Sequence, residues 1–288
     1  MPSPQVFVAG YTAVDVIGHG GSAVVYAARS ADGATVALKV LDEAHRAPEQ
    51  LARLQREVDF ARRLSDPGIV TVYDAGPGWL VMELLSGGTV TQLPGPAQRF
   101  LASTQIAAAL DHAHRRGIVH CDVKPANILV DKPFSRAVLV DFGVAHSMAE
   151  DVAARLAHGP GTRLSLDPAR RITRQARAPH PNVQASLPYS APELLCGRNP
   201  VSATDQYALA CTAVELLTGS PPFTADTASS LIDQQLHSPP PRISRRCSQI
   251  PRTADSIIAR ALAKDPERRH ASCTEFIGLL TAAVSSPT

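Results

Sequence analysis

Near the middle of the chain stands His120-Cys121-Asp122-Val123-Lys124-Pro125-Ala126-Asn127, followed after a short hydrophobic run by Asp141-Phe142-Gly143. These residue types are a base, a cation and two oxygen donors. Asp122 can orient a hydroxyl nucleophile and accept its proton, Lys124 can hold a phosphoryl oxygen, and Asn127 and Asp141 can hold Mg²⁺, which takes hard oxygen ligands and keeps some of its water. Together they suit phosphoryl-transfer chemistry. The flanking runs 127–130 and 137–140 read as two short strands, and the hairpin they predict brings Asn127 and Asp141 to one end. An H-x-D-x-K-x-x-N string alone can arise by chance; with a strand pair and an Asp-Phe-Gly at this distance it reads as a site.

The elements that must position this site follow from pattern. Residues 6–9 and 11–17 read as extended, Gly18-His19-Gly20-Gly21-Ser22-Ala23 as a small-residue turn, and residues 24–28 as a second extended run. A lone G-x-G is weak evidence, but the β-rich run after it predicts a hairpin, whereas a dinucleotide fold needs a helix there. Residues 34–41 form a strand with one internal cation, Lys39, which by itself reads as a surface lysine. A helix over 48–64 follows, with Leu51, Leu54, Val58, Ala61 and Leu64 at helical spacing, and Asp66-Pro67 ends it. Glu57 flanks that stripe and by itself reads as a solvated charge. Strands over 69–74 and 79–84 complete an antiparallel sheet of about five, and Gly87-Gly88 marks a change of lobe. Helical patterns dominate afterwards, over 96–116, 204–218, 225–236, 254–263 and 274–283. His112 and His114 lie two apart on a helix and so face different sides, which predicts packing or solvated roles and not a metal pair.

A chain of 288 residues can bury about 75% of its unfolded surface, enough for one large domain or two lobes. Lys+Arg 28 against Asp+Glu 26 leaves a net charge of +2, which makes no electrostatic case for nucleic acid or an anionic membrane. Five scattered cysteines with no C-x-x-C spacing predict a reducing, cytoplasmic setting. Residues 1–10 lack a signal-peptide pattern, and no run approaches about 18 apolar residues, so neither a leader nor membrane insertion is predicted.

From about residue 11 to 280 the chain resembles the eukaryotic-like Ser/Thr protein kinases of bacteria. The resemblance implies an α+β, bilobal protein-kinase fold. Its N-lobe (11–85) has a five-stranded antiparallel sheet plus one helix; its C-lobe (86–284) is mainly helical, with an activation segment over 141–193 and tails at 1–10 and 285–288. It implies ATP as phosphoryl donor, with Mg²⁺ on Asn127 and Asp141; oxygen ligands suit Mn²⁺ too. Lys39 resembles the lysine of the Val-Ala-Ile-Lys element that contacts the α/β-phosphates, and Glu57 the helix glutamate that pairs with it. By the same resemblance Gly18 and Gly20 are implied to fall in the loop over the phosphates, Ala37 to roof the adenine with Val25 and Ile17 beside it, Met82 to be the gatekeeper, the backbone of Glu83 and Leu85 the hinge, and Leu129 the floor. Asp205 reads as a capping carboxylate and, by resemblance, also as the anchor of the catalytic-loop backbone. Arg269 is implied to pair with Glu193 of Ala191-Pro192-Glu193, and Ser186 to hydrogen-bond near Asp122 and Lys124, which favours Ser or Thr as acceptor. The implied partners are protein substrates with Ser/Thr acceptors, the chain itself included.

The chain departs from the family at Ala23 (the third loop glycine), Cys121 (an arginine), Ala185-Ser186 (Gly-Thr) and Ala210 (a glycine). The arginine that Cys121 replaces ordinarily binds an activation-segment phosphate, so activity is expected not to depend strictly on phosphorylation there. A Cys121 nucleophile with His120 as base is the competing notion, opposed by their adjacency on an extended loop. The long segment 141–193 carries Arg155, Arg163, Arg170, Arg171, Arg174 and Arg177 among Thr162, Ser165 and Thr173, and reads as a mobile activation segment with an insertion. Two other readings stand beside the kinase. One is a pseudokinase scaffold that binds nucleotide without turnover; the other is a small-molecule phosphotransferase, which lacks the Ala-Pro-Glu segment and the Asp-x-Lys lysine.

Overall fold

The computed structural model describes residues 7–20, 22–42, 46–147 and 186–285. The arginines and hydroxyls expected in the segment 148–185 lie outside the described residues, as do Gly21 and Ala185.

The first lobe is a six-stranded antiparallel sheet in the order β1-β2-β3-β4-β6-β5. Its strands are β1 (Phe7–Val8), β2 (Tyr11–His19), β3 (Ala23–Arg29), β4 (Thr35–Leu41), β5 (Val72–Gly76) and β6 (Trp79–Met82). Five strands were expected, and the sixth comes from residues 6–9, which read as extended but lie in the expected tail. Ala9 and Gly10 both take positive φ (50° and 90°), the geometry of a two-residue hairpin turn, and fold Phe7 back against Thr12. Strand β5 starts later than expected because Ile69 and Val70 are held elsewhere. Ile69 bridges Leu139, and the Val70 N–H donates to the Leu139 carbonyl at 3.1 Å, so this stretch is tied to the second lobe.

Helix α1 (Pro48–Arg63) packs on one face of the sheet through Leu54, Val58 and Ala61. Proline at its start costs no hydrogen bond, since the first helical N–H groups lack intrahelical partners. On the opposite face Ala28, Val36, Leu38 and Val81 form a smaller cluster beneath Tyr11 and Trp79.

The second lobe is built on helices α2 (Pro96–Arg115), α3 (Pro192–Leu195), α4 (Ser202–Thr218), α5 (Ala228–His237), α6 (Arg252–Ala261) and α7 (Cys273–Ser285). Helix α4 is apolar on nearly every face and is buried from Thr204 to Val214, so it forms the centre of this lobe. Short strands β7 (Ile118–Val119) and β10 (His146–Ser147) pair with each other, as do β8 (Ile128–Val130) and β9 (Ala137–Leu139). Where the lobes meet, the Gly87 N–H donates to the Val130 carbonyl at 2.9 Å, and a side chain at Gly87 would strike the Asp131 carbonyl. Among the described residues no helix is long and apolar enough to cross a membrane.

Candidate active site

The predicted hairpin forms with Ile128 opposite Leu139 and Val130 opposite Ala137. The Val140 N–H donates to the Asn127 carbonyl at 3.0 Å, which places Asn127 across from the residue preceding Asp141. Around Asn127 a hydrogen-bonded chain forms. Its amide nitrogen donates to the Asp122 carbonyl at 2.8 Å and to Asp122 Oδ2 at 3.0 Å, and Lys124 Nζ donates to Asp122 Oδ2 and to Ser186 Oγ, both at 2.8 Å. Ser186 thus joins Lys124 and Asp122 across 62 residues of sequence.

A second cluster faces it from the sheet and α1. Strand register sets Lys39 between Val25 and Leu80. Its Nζ reaches both Glu57 oxygens, at 2.9 and 2.7 Å, and lies 3.7 Å from Asp141 Oδ1. Burial opposes both charges of the pair and pushes the Glu57 carboxyl up, while the Asp141 and Glu57 carboxylates hold the Lys39 ammonium above its ordinary value against its own desolvation. Two contacts this short describe the ionised pair. Arg53, one helical turn before Glu57, places its guanidinium 3.8 Å from Asp141 Oδ2. Burial alone would raise the Asp141 pKa; Lys39, then Arg53, then His120 and Lys124 pull it well below the carboxylate range. Lys39, Glu57 and Asp141 are therefore in contact, and Asp141 feels the cations of the Asp122 cluster as well.

Above these charges lies an apolar patch. Ala37, Met82 and Leu85 are buried in one cluster, with Val25 and Leu129 packed at its edge. Ile17 is 49% exposed and stands outside that cluster. Gly18 pairs with Val25, and the Gly20 N–H donates to the Ala23 carbonyl at 2.7 Å, closing the glycine turn. The Glu83 N–H donates to the Thr71 carbonyl at 3.0 Å. Its carboxylate accepts from the Thr71 N–H at 2.9 Å and pairs with Arg136 of the β8–β9 turn, a link between the lobes that sequence periodicity has no means to show.

The backbone of His120 and Cys121 is held from below by Asp205, which is fully buried. It accepts the N–H of His120 and of Cys121, each at 2.8 Å, and lies 2.7 Å from His114 Nε2. The capping expectation for Asp205 is corrected here: Asp205 sits inside α4, and the cap contact is from the Val201 N–H to Thr204 Oγ1 at 3.0 Å. Cys121 takes φ 67°, a left-handed conformation that costs energy in a non-glycine residue and is held by these bonds. The thiol-nucleophile notion fails on geometry. His120 Nδ1 accepts the Asp122 N–H at 3.2 Å, so Nε2 carries the proton and donates to the Val140 carbonyl at 3.1 Å, and burial raises the Cys121 thiol well above its ordinary pKa.

His112 and His114 face different sides, as expected; His112 lies 3.3 Å from Asp66 Oδ2. His114 does more than pack. It stands between Asp205 and Asp111, and Asp111 in turn accepts the N–H groups of Cys273 and Thr274 at 3.0 Å at the start of α7. Burial disfavours the imidazolium, but hydrogen bonds and charge from Asp111 and Asp205 outweigh it and raise the His114 pKa to about 9. Because this folded value exceeds the ordinary 6.5, the stabilisation is complete below about pH 6.5 and is lost as pH rises through about 9. His114→Gln is expected to lower the unfolding free energy by on the order of 1–3 kcal/mol at the acidic end of that window and by much less at its alkaline end. Urea unfolding of both proteins across the window checks this. The i, i+3 spacing of Asp111 and His114 was the one signal in the sequence that pointed to such a pairing.

Residues 11–278 match the family model of the protein kinase domain. Serine/threonine-protein kinase PknJ of Mycobacterium tuberculosis is 35% identical over 292 residues, spanning 96% of this chain and 46% of that protein. PknF of the same organism is 37% identical over 286 residues, spanning 93% and 55%. The chain spans about half the length of the curated relatives it matches. Among solved structures, the M. tuberculosis PknI kinase domain superposes with a TM-score of 0.70 at 29% identity, covering 99% of this chain and all of that one. Sequence match, relatives and fold agree over nearly the full length described: the chain belongs to the protein kinase domain family.

Proposed function

We propose that the chain transfers the γ-phosphoryl group of ATP to serine or threonine hydroxyls of proteins. The observation that supports this most is the hydrogen-bonded chain Ser186–Lys124–Asp122–Asn127 facing the Lys39–Glu57–Asp141 cluster. Both side-chain contacts to Asp122 converge on Oδ2, so Oδ1 is the oxygen that orients an acceptor hydroxyl and takes its proton. Lys124, bonded to the other Asp122 oxygen, steadies the transferring phosphoryl group. Lys39, held by Glu57, is the cation for the inner phosphates. The base rests on Ala37, Val25 and Leu129 next to Met82, with Ile17 closing over it from the exposed side. Phosphoryl transfer proceeds through a loose transition state, so positioning and charge neutralisation are most of what the protein must supply.

The Asn127 side-chain oxygen and the Asp141 carboxylate are hard donors at one end of the hairpin, a set that fits Mg²⁺ or Mn²⁺. A divalent cation there supplies charge neutralisation on the phosphate oxygens. Transfer of label from γ-labelled ATP to a generic protein acceptor in the presence of Mg²⁺ tests the proposal. Nucleotide binding without any transfer would support the scaffold reading instead.

Cys121 bears on regulation. Its side chain lies 3.6 Å from the Val119 carbonyl and carries no charge for a phosphate. Turnover is therefore expected to survive phosphatase treatment of the purified protein, checked by initial rates before and after dephosphorylation; loss of all activity would refute this.

A further inference from the structure

Four charges meet where α1 crosses the Asp-Phe-Gly turn, and they are not equally paired. Lys39 holds both Glu57 oxygens within 2.9 Å and stands off from Asp141 Oδ1 at 3.7 Å. The other Asp141 oxygen is met by Arg53 at 3.8 Å. Arg53 and Glu57 lie four residues apart on α1 and so project from one face. The arginine stem passes over Gly143: a Cβ there would lie 2.9 Å from Arg53 Nε and 3.0 Å from its Cγ, so the missing side chain is what gives the arm its path. Arg53 remains 35% exposed at its side chain, and at 3.8 Å its hold on Asp141 is a charge contact without a short hydrogen bond. Such half-solvated pairs are weak and exchange easily.

We propose that Arg53 is a positioning residue that occupies the metal-facing carboxylate Asp141 until a divalent cation takes it. The inference rests on the reading of Asp141 as a metal ligand. A guanidinium beside Asp141 balances its charge when no cation is bound and keeps the turn seated under α1. The same positive charge then opposes an arriving dication, and the arm must swing toward solvent, which its exposure allows. Lysine could supply the charge but lacks the planar fork and the reach across Gly143.

The test is a titration of Mg²⁺, and separately of Mn²⁺, into the full chain with a non-hydrolysable ATP analogue, followed by thermal midpoint. Arg53→Gln is expected to lower the metal concentration at half-maximal shift by about three- to tenfold, from the loss of one repelling unit charge. Added salt should shrink the gap, since the charge is partly solvated. Arg53→Lys is expected to restore part of the parental value. An unchanged or raised half-maximal concentration in Arg53→Gln, with the parent responding normally, overturns the role of Arg53 alone. A parent that shows no metal-dependent shift at all overturns the metal reading of Asp141, and this inference with it.

Discussion

Asp122→Asn is expected to lower kcat by about 10²–10⁴-fold, the usual worth of a positioned general base, with nucleotide affinity retained. Asparagine matches aspartate in size and can still accept a hydrogen bond from Lys124 or Asn127, both now within 3.0 Å of Oδ2. What it cannot do is take the proton of the attacking hydroxyl. The Lys39–Glu57 pair and the apolar patch beneath β3 and β4 do not touch Asp122, so the contacts assigned to the adenine and the inner phosphates are untouched by the change. Paired measurements of turnover and of nucleotide binding by the same protein check this. Retained turnover would remove Asp122 from its assigned role, and lost binding would show that the variant had disturbed the loop.

Arg269→Ala is expected to cost about 3–5 kcal/mol of stability, because it leaves a buried carboxylate without its partner. The Arg269 side chain is 0% exposed and that of Glu193 3%, and two parallel contacts of 2.8 Å join them. The guanidinium also donates to the carbonyls of Ala203 in α4 at 2.7 Å and of Ala263 just after α6 at 2.9 Å, so its removal strands both acceptors at once. Thr204 Oγ1 gives Glu193 a third donor at 2.8 Å, too little to solvate a full charge. Urea denaturation checks the loss. A double variant, Arg269→Met with Glu193→Leu, is expected to recover much of it, since desolvating an ion pair offsets most of its attraction. Failure to recover would place the stabilisation in the carbonyl contacts and not in the pair.

Local pattern carried much of the first lobe. Helix α1 ends one residue before the sequence expectation, where Asp66-Pro67 forbids continuation; Leu54, Val58 and Ala61 of the apolar stripe are buried, Leu51 is half-buried, and Phe60, outside the stripe, is buried as well. Glu57, adjacent to that stripe, is buried, although its type alone predicts solvent. The difference lies in Lys39, 18 residues earlier on another element, which supplies the counter-charge that makes burial tolerable. The two-residue strand β1 falls where residues 6–9 read as extended, yet it lies outside the expected five-stranded sheet because what pairs it with β2 is a turn, and Ala9 does not advertise the positive φ that it adopts. For Asp205, position near the start of α4 suggested a cap and the family resemblance an anchor for the loop backbone; its partners are the backbone groups of His120 and Cys121, 85 and 84 residues away, as the second reading implies.

The sequence by itself determined the chemistry and the local elements: a carboxylate, an ammonium and two oxygen donors at set spacing, a hairpin to join Asn127 with Asp141, and a helix to carry Glu57. Spacing and periodicity suffice for these because each depends on neighbours within a few residues. Beyond the Lys39–Glu57 and Arg269–Glu193 pairs that the family resemblance implied, only the tertiary structure decided which charges meet. The seats of His114 between Asp111 and Asp205, of Arg136 on Glu83 and of Arg53 on Asp141 join different elements, and charged side chains find such partners through packing that no short window of sequence contains.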